Sequence, residues 1–181
     1  MKVYLERKGY SYSLTTIRKY MNMELGLRSI VCPKKPRYEH GKPHKIFDNK
    51  LKQNFTAETV NQKWCTDFTY LFLAGHQVRY NCTIIDLYDR SVIASITDRN
   101  ITSDLAICTL QKALDSQPKI KGDLILHSDQ GTQFTSKAFV DFYESVHVTQ
   151  SISKAGYPYD NAPMERYFNT LKNECINLRE F

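Results

Sequence analysis

The sequence predicts an α/β protein built on a mixed five-stranded sheet with helices on both faces. Three observations predict it. Between residues 64 and 97, three runs rich in aromatic and β-branched residues follow one another across short turn signals. Runs of that kind, joined tightly, pair antiparallel. From residue 102 onward, helix-like and strand-like segments alternate, the pattern that lays strands parallel with helices packed over them. Finally, DLILHS (residues 123–128) is a short, almost continuous apolar run, as expected of a strand buried on both faces.

The elements follow in order. SLTTIRKYMNMEL (residues 13–25) reads as a helix, with Ser13 as N-cap and Leu14, Ile17, Met21 and Leu25 at helical spacing. WCTDFTYLFL (64–73) is the first strand, Ala74-Gly75-His76 a hairpin turn, and VRYNCTIIDL (78–87) the second strand. After a turn at LYDR, SVIASIT (91–97) is the third. A helix over 102–117 carries Ala106, Leu110, Ala113 and Leu114 as its apolar stripe. The buried fourth strand comes next, then a helix over 136–145 with Phe139, Val140 and Tyr143, a fifth strand VTQSI (148–152), and a last helix over 162–176. The order is βββ-α-β-α-β-α.

Composition excludes several classes. At 181 residues the chain is one domain, or one with a small appendage. No apolar run approaches the roughly 20 residues that span a bilayer, so no membrane partner is expected. MKVYLERKGYSYS has no apolar stretch behind its charged start, unlike a secretory signal. Five cysteines, none in a CxxC pair, support neither a zinc ribbon nor a disulfide framework. They read as reduced thiols of a cytoplasmic protein.

Charge is segregated along the chain. Residues 1–60 hold 13 basic and 5 acidic residues, and residues 61–181 hold 12 and 14. A basic head beside a mildly acidic body suits a polyanion, most often nucleic acid, although a solvated leader would have the same composition. Residues 32–60, with Pro, Lys and His and little apolar periodicity, read as a basic linker, in which Lys34, Lys35 and Arg37 are candidate DNA contacts.

Three acids stand where acids are unexpected. Asp67 is in the middle of the first strand, a place that disfavours Asp. Asp129 follows the buried fourth strand at its carboxyl end, where open sheets bind ligands. Glu165 opens the last helix. Each has an ordinary use as well: a turn cap or ion pair for Asp67, an Asx turn for Asp129, a favourable helix start for Glu165. The expected topology sets the first strand beside the fourth, which brings the two aspartates to one edge. Converging carboxylates repel, and their pKa values rise unless a cation neutralises them. Hard divalent ions take oxygen ligands, and two of them about 4 Å apart serve phosphoryl displacement.

Four stretches in order are NQKWCTDFTY, IIDLYDRSVI, HSDQGTQFTS and SISKAGYPYDNAPMERYFNTLKNE, and 35 residues separate Asp129 from Glu165. On these the chain, from about Asn61 to Asn173, resembles the catalytic core of DDE transposases and retroviral-type integrases, the second-frame transposases of the IS-three group above all. The resemblance implies a ribonuclease H-like fold. It implies Asp67, Asp129 and Glu165 as catalytic and metal-binding residues for two Mg²⁺ (or Mn²⁺) ions. Asp67 would bridge both ions, Asp129 hold one and Glu165 the other. It further implies hydrolysis at a DNA end, then attack of the freed 3′-hydroxyl on another phosphodiester.

The implied partner is double-stranded DNA, namely terminal repeats and target. The protein is expected to act as a homo-oligomer on that DNA, in the bacterial cytoplasm at the nucleoid. Lys172, two turns along the helix from Glu165, matches a basic position that touches donor DNA, and Asn169 shares its face. The alternative for Lys172 is a solvated helix lysine. Asn161, Pro163 and Asp160 are expected to shape the helix start, His127 to be structural or to support Asp129, and Asp86 and Asp89 to serve their turn. The expected organisation is a partial helix-turn-helix-like segment (1–31), the linker (32–60) and a core (61–181) shortened at its C-terminus. A truncated, non-catalytic DNA-binding remnant is the alternative function.

Overall fold

The computed structural model describes residues 1–27, 47–118, 120, 122–154 and 157–178. The chain divides into two compact units, Met1–Glu39 and His40–Phe181.

In the first unit, α1 (Lys2–Arg7) precedes α2 (Leu14–Lys19), which runs into a wider π-type turn at Tyr20–Glu24. Ser13 caps α2 as expected, its hydroxyl accepting from the Thr16 N–H at 3.0 Å. The single helix expected over 13–25 is thus a helix and a π turn, and α1 was not expected. Of the four apolar positions at helical spacing, only Ile17 is buried, while Leu14 and Leu25 are exposed.

In the second unit, five strands form one sheet: β1 (Lys63–Phe72), β2 (Val78–Asp86), β3 (Val92–Asp98), β4 (Ile125–Ser128) and β5 (Thr149–Ile152). Their order is β3-β2-β1-β4-β5. The first three pair antiparallel, and β1–β4 and β4–β5 pair parallel. The β1–β2 turn places Gly75 at φ +70°, a left-handed conformation that glycine adopts without strain.

α3 (Ser103–Ser116) and α4 (Lys137–Ser145) pack on one face and α5 (Ala162–Glu174) on the other. Thr102 and Ser136 cap α3 and α4. The larger core gathers Trp64, Ile84, Leu110, Leu126, Phe134 and Phe139 beneath α3 and α4. A smaller one joins Cys65, Ile85 and Leu87 to Met164 and Phe168 of α5.

Part of the expected linker is folded. Leu51 and Ala57 are buried in the smaller core, and the Lys50 and Leu51 N–H groups donate to Ser151 Oγ. Residues 47–60 therefore strap the second unit, because their few apolar side chains find a pocket that no local periodicity announces. Lys34, Lys35 and Arg37 lie outside the described residues. Among the described residues no helix is long and apolar enough to cross a membrane.

Candidate active site

Strand pairing sets the two aspartates together. β1 and β4 run parallel with Trp64 opposite Leu126 and Cys65 opposite His127. Carried two residues further, that register sets Asp67 level with Asp129, just past the end of β4. Side chains alternate along a strand, so Asp67 shares the Cys65 face, the face α5 covers. Each carboxylate is half-buried. Asp67 Oδ1 accepts from the Phe68 N–H at 2.7 Å, and its Oδ2 accepts from Asn161 Nδ2 at 3.1 Å.

Asp129 closes an Asx turn, its Oδ1 accepting from the Gly131 N–H at 2.9 Å. A Cβ on residue 131 would stand 2.9 Å from that same oxygen, so glycine lets the loop come this close to the carboxylate.

Glu165 sits in the first turn of α5 and is exposed. It lines a shallow groove with Asn169, Thr170 and Asn173. Lys172 is half-buried and does not line that groove. Four residues before Glu165, Asn161 reaches Asp67, so α5 is fastened to β1 at its start. The structure thus sets Asp67 level with Asp129 and ties Asp67 to the start of α5, while Glu165 lines a groove formed by α5 residues alone. Among the described residues, no group of three or more His, Cys, Asp or Glu gathers closely enough to hold a metal ion. The donor chemistry nevertheless fits a hard divalent cation, because the acids at this edge offer oxygen only.

The neighbours that could compete as ligands are engaged elsewhere. Burial pushes the Cys65 thiol far above its ordinary range and the Cys82 thiol up to about 12, so neither is a thiolate at neutral pH. His127 is fully buried. Its Nε2 lies 2.8 Å from the Asp160 carbonyl oxygen, so that nitrogen carries the proton. Its Nδ1, 2.9 Å from Ser151 Oγ, accepts. Burial lowers the His127 pKa, and the neutral ring is structural, as the sequence led one to expect.

Asp160, only 3% exposed, is the hub of this corner. It accepts from Asn49 Nδ2 (2.7 Å), Gln53 Nε2 (2.8 Å) and the Lys154 N–H (3.1 Å). Burial opposes its charge, yet these bonds hold the carboxyl below the usual range. Asp86 accepts from the Asn61 N–H, the Tyr88 N–H and Trp64 Nε1, and Asp89 from the Ser91 N–H. Both serve the β2–β3 turn. Sequence reasoning missed the contact of Asn161 with Asp67, because an Asn before a Pro-containing helix start reads first as a cap.

Residues 57–158 match the integrase core domain family. The chain is 33% identical over 180 residues to the transposase InsF for insertion sequence IS3A of Escherichia coli (strain K12). It is 30% identical over 178 residues to the putative transposase InsK for insertion sequence element IS150 of the same strain. In both cases the alignment covers 98% of this chain, which spans 61% of the first relative's length and 62% of the second's.

Two solved structures share the fold. The catalytic domain of Mos1 mariner transposase superposes with TM-score 0.56 at 15% identity, covering 67% of this chain and 63% of that one. The HTLV-2 integrase catalytic core domain in complex with magnesium gives 0.53 at 22%, covering 67% and 79%. The sheet order and these neighbours make the fold ribonuclease H-like. On its family match, which spans more than half of its length, the chain belongs to the integrase core domain family.

Proposed function

We propose that the chain performs divalent-metal-dependent DNA strand cleavage and strand transfer for an insertion sequence, with Asp67, Asp129 and Glu165 as the metal-holding residues. The observation that carries this reading is the β1–β4 register, which sets Asp67 level with Asp129, with Asn161 at the start of the Glu165 helix bonded to Asp67. Asp67, on the strand beside β4 and bonded to Asn161 at the start of α5, is the proposed ligand of both ions. Magnesium or manganese, when bound, supplies charge stabilisation for the attacking and leaving oxygens of a phosphodiester displacement. The carboxylates orient that charge, and the buried sheet behind them keeps their positions. No protein nucleophile is required.

Asn169 and Lys172 are proposed contacts for donor DNA, and Lys34, Lys35 and Arg37 for its phosphates. The proposed substrate is double-stranded terminal-repeat and target DNA in the bacterial cytoplasm, bound by more than one copy of the chain. The basic segment (1–31 and the residues after it) is proposed to bind DNA and the 61–181 region to do chemistry. The test is nicking of a terminal-repeat duplex in Mg²⁺. Asp129→Asn is expected to lower the rate by about a hundredfold or more, with thermal unfolding unchanged. Equal cleavage by that variant overturns the assignment.

One observation favours a second reading: the acids do not gather into a metal cluster among the described residues. A non-catalytic DNA-binding protein gives salt-dependent duplex binding and no metal-dependent nicking in the same assay.

A further inference from the structure

We propose that Asn161 is a positioning residue for the Asp67 carboxylate and an acceptor for the hydration shell of a divalent cation held there. The inference rests on the metal-holding role proposed above for Asp67. Asn161 is the N-cap residue of α5, and its residue type is among the best caps. Yet its side chain makes no cap hydrogen bond. It turns to the sheet and donates from Nδ2 to Asp67 Oδ2 at 3.1 Å. The orientation of the amide follows from chemistry: a carboxylate only accepts, so the NH₂ group faces it.

The other end of the amide is then committed. Asn161 is 8% exposed, and its Oδ1 is buried with no donor among the described residues. Buried acceptors are nearly always satisfied, and an orphan calls for an explanation. This one stands two bonds from an N–H that touches a candidate metal ligand. Water in the shell of a hard cation is a strong donor, and magnesium keeps several such waters. Residues that hold a ligand from outside the coordination sphere tune both its orientation and the affinity of the site.

The surroundings explain why the amide is held in this place. Next to it, Asp160 is tied by Asn49, Gln53 and the Lys154 N–H. The Asp160 carbonyl receives His127 Nε2. One turn and more along α5, Met164 and Phe168 are buried in the smaller core, and Tyr167 packs against it. α5 is therefore anchored without Asn161. Loss of its amide is felt at the carboxylate rather than in the fold.

The experiment uses the full chain and Mn²⁺ as the probe, with free Mn²⁺ read by electron paramagnetic resonance. Asn161→Leu keeps the volume and removes both polar groups. It is expected to weaken Mn²⁺ binding tenfold or more, while unfolding in metal-free buffer stays unchanged or rises in temperature. Asn161→Gln, which keeps donor and acceptor, is expected to recover part of the affinity. In the wild type, Mg²⁺ titration is expected to shift the Asn161 side-chain amide resonances.

Wild-type affinity in Asn161→Leu overturns the inference, as does a fall in its metal-free unfolding temperature that accounts for the lost affinity. If Asp129→Asn abolishes Mn²⁺ binding while Asn161→Leu does not change it, this inference fails and the proposed function stands. If the wild-type chain binds no Mn²⁺, both fail.

Discussion

The two faces of the sheet differ in kind. Under α3 and α4 the strands present Trp64, Ile84 and Leu126 to Leu110, Phe134 and Phe139, all nearly or fully buried. Under α5 the apolar cluster is small, and the same strands continue into Asp67, Thr69, Asn81 and Thr83. The polar row is satisfied internally. Thr83 Oγ1 donates to Asn81 Oδ1 at 2.6 Å, and Asn81 Nδ2 donates to Ser95 Oγ at 2.8 Å. Burial of apolar area supplies most of the folding free energy, so one face holds the domain together. That leaves the other free to carry carboxylates, which are unfavourable in an apolar interior.

Breaking the apolar face has the largest expected effect. Phe139→Ala removes a ring that packs against Phe134 and Tyr143 and is expected to cost about 3–5 kcal/mol, read as a drop in the urea midpoint. A cost under about 1 kcal/mol would show that this face is not the main source of stability.

The polar corner is expected to be worth less. Asp160→Ala leaves Asn49, Gln53 and the Lys154 N–H without their acceptor and is expected to cost about 1–3 kcal/mol. If this loss exceeds that of Phe139→Ala, the contrast between the faces is reversed.

The smallest effect is pH-dependent. Burial holds the folded-state pKa of His127 below its ordinary 6.5. The unfolded chain therefore binds more protons just below that value, and stability rises with pH there. The contribution is complete above 6.5 and is lost as pH falls from 6.5 through the folded-state value. Urea midpoints at about pH 7.5 and about pH 5.5 check this: wild type is expected to lose stability between them, and His127→Gln to lose the slope. A wild-type midpoint that does not move would place His127 outside the linkage.

Much of the fold is legible in the sequence because its signals are local. Thr102 and Ser136 head amphipathic runs and become caps, and the alternation in WCTDFTY puts Trp64 on one face and Asp67 on the other. The N-terminal segment is less legible. Leu14, Met21 and Leu25 have helical spacing, but the chain widens into a π turn after Lys19 and leaves Leu14 and Leu25 exposed. Residues 47–60 look like linker because one leucine, one alanine, one valine and two phenylalanines make no clear amphipathic pattern. They fold because Leu51 and Ala57 reach a cluster formed by β1, β2 and α5.

At the candidate site, Asp67 and Asp129 stand out from the sequence because one is in a strand interior and the other at a strand's carboxyl end, and Glu165 because it follows Asp129 at a recognisable spacing. The sequence alone determined that these acids exist, that they belong to three separate elements of an α/β core, and that their spacing matches a known pattern. Those are properties of residue type and of period along one chain. Which of them meet, and through what, only the tertiary structure decided. The parallel β1–β4 pairing levels Asp67 with Asp129, and the packing of α5 turns Asn161 from a cap into a partner of Asp67. Those contacts join residues dozens of positions apart, and the energies that choose them come from packing between elements.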